Sequence, residues 1–126
     1  MKQLLLISLL LLTIKTNAQQ PAKLVADSLG GTWLIDLRPT PDSDPYLKEF
    51  KVSKIKGENF DGEFYGTPFT DGFLNIEWGI IYFGFTTQDQ TSTYYHSGSI
   101  EGNKIHGITL NEGRKFVLPW RGEKKK

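Results

Sequence analysis

The sequence predicts an all-β protein, a single up-and-down antiparallel meander of about seven or eight strands closing into a small barrel. Three observations carry the prediction. Apolar residues recur at every second position through most of the chain, and scarcely any stretch shows a helical period. Glycine (13 residues) and aromatic residues (8 Phe, 5 Tyr, 3 Trp) are abundant, a composition of strands broken by turns. One pattern, Ile-x-Gly-x-x-Φ-x-Gly with Φ a large apolar residue, occurs twice, over 55–62 and 100–107.

Ahead of the barrel, residues 1–18 read as a secretory signal peptide. Lys2 supplies a positive start, Leu4 to Leu12 is apolar apart from Ser8, and Thr16-Asn17-Ala18 places small residues where a signal peptidase cuts. A run this short does not span a bilayer. The mature chain is therefore expected to be exported, secreted or periplasmic, with no membrane insertion. There is no cysteine, hence no disulfide and no thiol for lipid attachment, and the core must hold unaided. The formal net charge is +1, and the leader takes Lys2 and Lys15 with it. A near-neutral chain without a basic stripe argues against a nucleic-acid partner.

Residues 19–29 form a polar, flexible lead-in with room for a helical turn at Ala22–Leu29. Residues 30–122 form the barrel domain, and residues 123–126 (Glu-Lys-Lys-Lys) a solvated basic tail. Gly30-Gly31 ends the lead-in, and Thr32 to Leu37 is the first strand, with Trp33, Ile35 and Leu37 on one face. Arg38 to Tyr46 contains three prolines and cannot join a ladder, so it should rim an open end.

The repeated pattern then sets a register. With two-residue loops at Gly57-Glu58 and Gly102-Asn103, Ile55 faces Phe60 and Ile100 faces Ile105. Lys54 then opposes Asp61, and Glu101 opposes Lys104. Gly62, Gly98 and Gly107 fall on the apolar face, where glycine lets a sheet curl inward. Gly66 to Gly72 reads as a turn region around Pro68, and Phe73 to Trp78 as a short irregular strand. Ile80 to Thr87 is apolar on both faces. The last strand, Arg114 to Arg121, aligns Phe116, Leu118 and Trp120. Closing the meander removes exposed edges.

In outline the chain resembles the calycin group of small barrels, the lipocalins and avidins. Gly31-Thr32-Trp33 is similar to the Gly-x-Trp that opens their first strand. Gly62-Glu63-Phe64-Tyr65-Gly66 resembles the Gly-x-Phe-x-Gly of an avidin third strand, and Val117 to Arg121 resembles their apolar last strand ending in a cation. The resemblance implies that Arg121 packs over Trp33 and closes one end. An avidin carries its biotin tyrosine two residues past that glycine; this chain has Pro68 there, so no biotin site is implied.

The register places Tyr94, His96 and Thr109 inward, with His96 opposite Thr109, and Tyr95 and His106 outward. Hydroxyls and an imidazole converging in an apolar concavity are what a ligand site uses to fix orientation. Trp78, at the head of the aromatic run, is expected to add a stacking surface. His96 and His106 point to opposite faces, and Asp71 and Asp89 sit in turns where Asp bonds locally, so no metal or other cofactor is expected. Ser97 and Ser99 alternate off the face of His96, and no nucleophile elbow occurs, so no catalytic residue is expected. The expectation is a non-enzymatic barrel binding a small, mostly apolar molecule in its lumen. The alternative is a filled barrel acting as a structural or protein-interaction module, oligomerising through Ile80–Thr87.

Overall fold

The structure, a computed structural model, describes residues 22–126; the leader expected at 1–18 and the start of the lead-in lie outside the described residues. A short helix, α1 (Ala22–Asp27), precedes eight strands: β1 (Gly31–Asp36), β2 (Leu47–Lys56), β3 (Asn59–Phe64), β4 (Thr67–Asn75), β5 (Ile81–Gln88), β6 (Thr93–Glu101), β7 (Lys104–Asn111) and β8 (Phe116–Lys124). Each pairs antiparallel with the next, and β8 returns to β1 to close the barrel. The fold class is the one the alternation predicts.

The second copy of the repeat forms the hairpin expected of it. Glu101 pairs with Lys104, Ile100 with Ile105, Gly98 with Gly107 and His96 with Thr109. Gly102 opens the loop at φ 59°, a left-handed conformation open to glycine at little cost. Lys104 nevertheless gives its charge to Glu123 on β8 rather than to Glu101. The first copy departs from its predicted register. Lys56 pairs with Asn59 and Ser53 with Asp61, so Lys54 and Ile55 together oppose Phe60 in a bulge, with Lys54 at φ 49°. Lys54 therefore does not face Asp61.

Two strands also differ in extent. The expected turn region before Phe73 shrinks to Tyr65-Gly66, and β4 runs through Pro68, which lies where β4 pairs with β3 alone. A bulge at Thr70-Asp71, with Asp71 at φ 59°, takes up the extra residue of β4 opposite Asp61. At the other end, β8 starts at Phe116 and continues to Lys124, two residues into the supposed tail, because Lys124 and Glu123 pair with Trp33 and Leu34.

What fills the barrel is a set of aromatic rings laid across glycines. Phe69 sits over Gly62, Phe60 over Gly72, Phe83 over Gly98 and Trp120 over Gly107, each ring paired directly across the ladder from its glycine. A Cβ at any of these glycines would enter the ring. The rings then pack on one another: Phe50 stacks on Phe85 at 5.0 Å and Phe69 on Phe85 at 4.3 Å between centroids. Phe73 over Gly84 repeats the arrangement on the outer surface.

The two ends of the barrel differ. At one, α1 and the residues after it cover the lumen: Leu29 and Trp33 are fully buried, and Trp33 Nε1 donates to the Leu29 carbonyl at 2.8 Å. The cation over Trp33 is Lys124, whose Nζ lies 5.4 Å from the ring centroid and donates to the Ser28 carbonyl. The expected closure by Arg121 is thus corrected. Arg121 alternates outward from Trp120, is exposed, and pairs across the ladder with Asp36 and His106. The opposite end carries the long loop Leu37–Tyr46 together with the β3–β4, β5–β6 and β7–β8 connections, and is open.

Replacing Gly98 or Gly107 by Ala should lower stability by about 1–3 kcal/mol through overpacking, whereas Gly84→Ala should cost less because exposed Phe73 can swing away; urea denaturation ranks the three. The same measurement on Lys124→Ala should show a loss of about 0.5–1 kcal/mol and on Arg121→Ala a change within about 0.5 kcal/mol. The reverse order would restore Arg121 as the closing cation.

Candidate functional site

The open end leads into a cup of 570 Å³ that stops at the aromatic plug. Its apolar walls are Leu37, Phe64, Phe116 and Leu118, and its rim carries Tyr46, Tyr65, Gln88, Asp89, Tyr94 and Arg114. Thr87, His96 and Thr109 supply polar atoms deeper in the same cup. Each arrives by strand alternation. Thr87 continues the inward face of Ile81, Phe83 and Phe85 on β5, His96 and Tyr94 share a face of β6, and Thr109 lies across from His96 on β7.

His96 is 4 % exposed and sits between two hydroxyls, with Nε2 2.8 Å from Thr87 Oγ1 and Nδ1 2.8 Å from Thr109 Oγ1. Thr109 Oγ1 also accepts Trp120 Nε1–H at 2.9 Å. The imidazole ring is held between Phe64 and Phe85, at 4.3 and 4.5 Å between centroids. Burial in this aromatic setting disfavours the imidazolium and pushes the His96 pKa down to about 4. A neutral, weakly basic imidazole without a carboxylate on Nδ1 is poorly equipped to activate a neighbouring hydroxyl. Its chemistry here is hydrogen bonding.

The rim is organised by Asp89. Its Oδ1 accepts the Thr91 and Ser92 backbone N–H groups at 2.8 and 2.9 Å and the Thr91 hydroxyl at 2.8 Å, while Oδ2 accepts Tyr94 O–H at 3.0 Å. These bonds, the one from the Thr91 N–H foremost, hold its carboxyl well below the usual range. Tyr94 in turn accepts from Arg114 at 2.9 Å. Fully buried Asn111 ties the two loops together, donating to Ser92 Oγ at 2.7 Å and accepting Arg114 N–H at 2.9 Å. Across the mouth, the Tyr46 and Tyr65 hydroxyls bond to each other under Lys48, 4.9 and 5.2 Å from their centroids.

Of the residues expected to meet a ligand, Tyr94, His96 and Thr109 come together in this cup. Trp78 does not: it lies in the β4–β5 connection at the covered end of the barrel, 76 % exposed. Its place at the head of the aromatic run is the signal for it, and the direction of the loop removes it from the cup. Thr87 joins the other three, and a two-residue period does place it on the inward face after Phe85. Tyr46, Tyr65 and Arg114 carry no local signal, because they meet only through closure of the barrel. Among the described residues no three His, Asp or Glu side chains gather as a metal site would require.

Comparison with family models, with curated proteins and with solved structures finds no match.

Because the folded-state His96 pKa lies below the ordinary 6.5, the unfolded chain binds the proton more readily. Stability from this group is complete above about pH 6.5 and is lost as pH falls towards 4, by up to about 3 kcal/mol. Urea denaturation across this pH range should show that decline in the native protein and a flatter profile in His96→Phe.

Proposed function

We propose that this is a non-enzymatic, exported barrel that holds a small, mostly apolar ligand in the cup. The observation that carries the reading is the division of the lumen. One half is packed with rings, while the other keeps 570 Å³ open between apolar walls and a few convergent polar groups, within the range of about 300–1,000 Å³ typical of small-molecule sites. A barrel of about eight strands is just wide enough for this partition. The partners of both His96 ring nitrogens are threonine hydroxyls, with no orienting acid among the described residues, which supports binding over catalysis. A calycin-like barrel in the manner of the lipocalins is the family reading that this architecture favours, on the closed meander and on a cation over the first-strand tryptophan, here Lys124.

A second reading rests on a separate observation. Phe73 and Tyr82 are 60 % and 45 % exposed and lie on the outer face of neighbouring strands β4 and β5, so Ile80–Thr87 could instead pack against a second copy or another protein. A monomer in sedimentation analysis at high concentration would remove the homo-oligomeric form of this reading.

For the cup, N-phenyl-1-naphthylamine should bind saturably at one site per chain, with a dissociation constant of about 1–100 µM. Leu118→Trp, which fills the cup from its wall, should weaken that binding by at least about tenfold. Fluorescence titration checks both, and unsaturable binding, or binding indifferent to Leu118→Trp, would refute the proposal.

A further inference from the structure

The hydrogen bonds around His96 define what the inner end of such a ligand must offer. Trp120 Nε1, Thr109 Oγ1, His96 and Thr87 Oγ1 form one chain joined by three contacts, at 2.9, 2.8 and 2.8 Å. Each of the four groups carries one hydrogen when the imidazole is neutral. Three contacts use three hydrogens, so one is left over whichever ring nitrogen is protonated.

Its position follows from the fixed end of the chain. An indole N–H can only donate, so Thr109 Oγ1 accepts from Trp120. If Thr109 then donates to Nδ1, it gives one bond and receives one, and Nε2–H donates to Thr87. The other tautomer makes the Thr109 oxygen accept twice and strands its own hydrogen. Chains in which each group accepts and donates reinforce one another, which places the spare hydrogen on Thr87. That hydroxyl lines the cup and makes no other hydrogen bond among the described residues.

With the cup open, solvent satisfies this hydrogen. A ligand that seats against Phe64 and His96 displaces that solvent, and a buried donor without a partner is costly. Resting on the reading of the cup as a ligand site, we propose that the bound molecule carries an uncharged acceptor, a carbonyl-type oxygen, at its inner end, where it receives the Thr87 hydroxyl. A carboxylate does not suit this position. Phe64, Phe85 and the hydroxyls of Thr87 and Thr109 surround His96, and among the described residues no cation lines the inner cup; Arg114 lies at the rim. Burying an anion on one hydroxyl would leave most of its charge unsolvated.

The test uses two probes of nearly equal shape, 2-acetylnaphthalene and 2-ethylnaphthalene, titrated into the protein. The ketone is expected to bind about five- to tenfold more tightly, the worth of one neutral hydrogen bond. The infrared carbonyl band of the bound ketone should shift towards its position in an alcohol. In Thr87→Val/His96→Phe, which replaces the last two groups of this hydrogen-bonded series, counted from Trp120, with apolar ones, the two affinities should converge. Equal affinities in the native protein, a carbonyl band at its hydrocarbon-solvent position, or a preference that survives in the double variant would overturn the acceptor assignment while the cup remains a binding site. Failure of both probes to bind would overturn the cup reading itself. The infrared band of the native complex decides the matter even if the double variant does not fold.

Discussion

Everything in this barrel depends on rings packed against glycines across the ladder. An eight-stranded barrel has an interior only slightly wider than the side chains that must fill it. Phe60, Phe69, Phe83 and Trp120 fit because the residue opposite each lacks a side chain. The backbone at each glycine gains an apolar cover in return, which offsets the weakness of glycine in a strand. Those same glycines let the sheet curl towards the face they occupy, so closure and filling share one cause.

The site is a consequence of where this filling stops. The inward faces of β5, β6 and β7 change from ring and glycine to threonine, histidine and tyrosine as they approach the open end: Phe85 gives way to Thr87, Gly98 to His96 and Tyr94, and Gly107 to Thr109. Trp120, part of the plug, sends its N–H to Thr109, the first polar group beyond it. The plug thereby supplies the donor that orders the hydrogen bonds of the cup. Stability and site chemistry meet at that one indole.

Much of this was legible in residue order. The two-residue period and the repeat placed His96 opposite Thr109 and sent Tyr95 and His106 outward, and that register holds. The first copy of the repeat slipped because Lys54 takes a left-handed conformation and inserts a bulge, which no side-chain pattern signals. Trp78 was misplaced for a different reason. Aromatic content marks a residue as valuable to bury, but only the direction of β4 shows that this loop lies at the covered end. Arg121 and Lys124 differ by three positions on one strand. Which of them meets Trp33 is decided by the β1–β8 stagger at closure, a property of the whole sheet.

By itself, the order of residues determined the all-β class, the meander, the inward and outward faces of the Ile100–Gly107 hairpin and three members of the cup, because alternation and turn chemistry act over a few neighbouring residues. Only the tertiary structure decided which cation covers Trp33, and that Asp89, Arg114, Tyr46 and Tyr65 meet at the one open end. Those outcomes depend on the shear of a closed sheet and on contacts between residues far apart in the chain. Neither is encoded in any short segment.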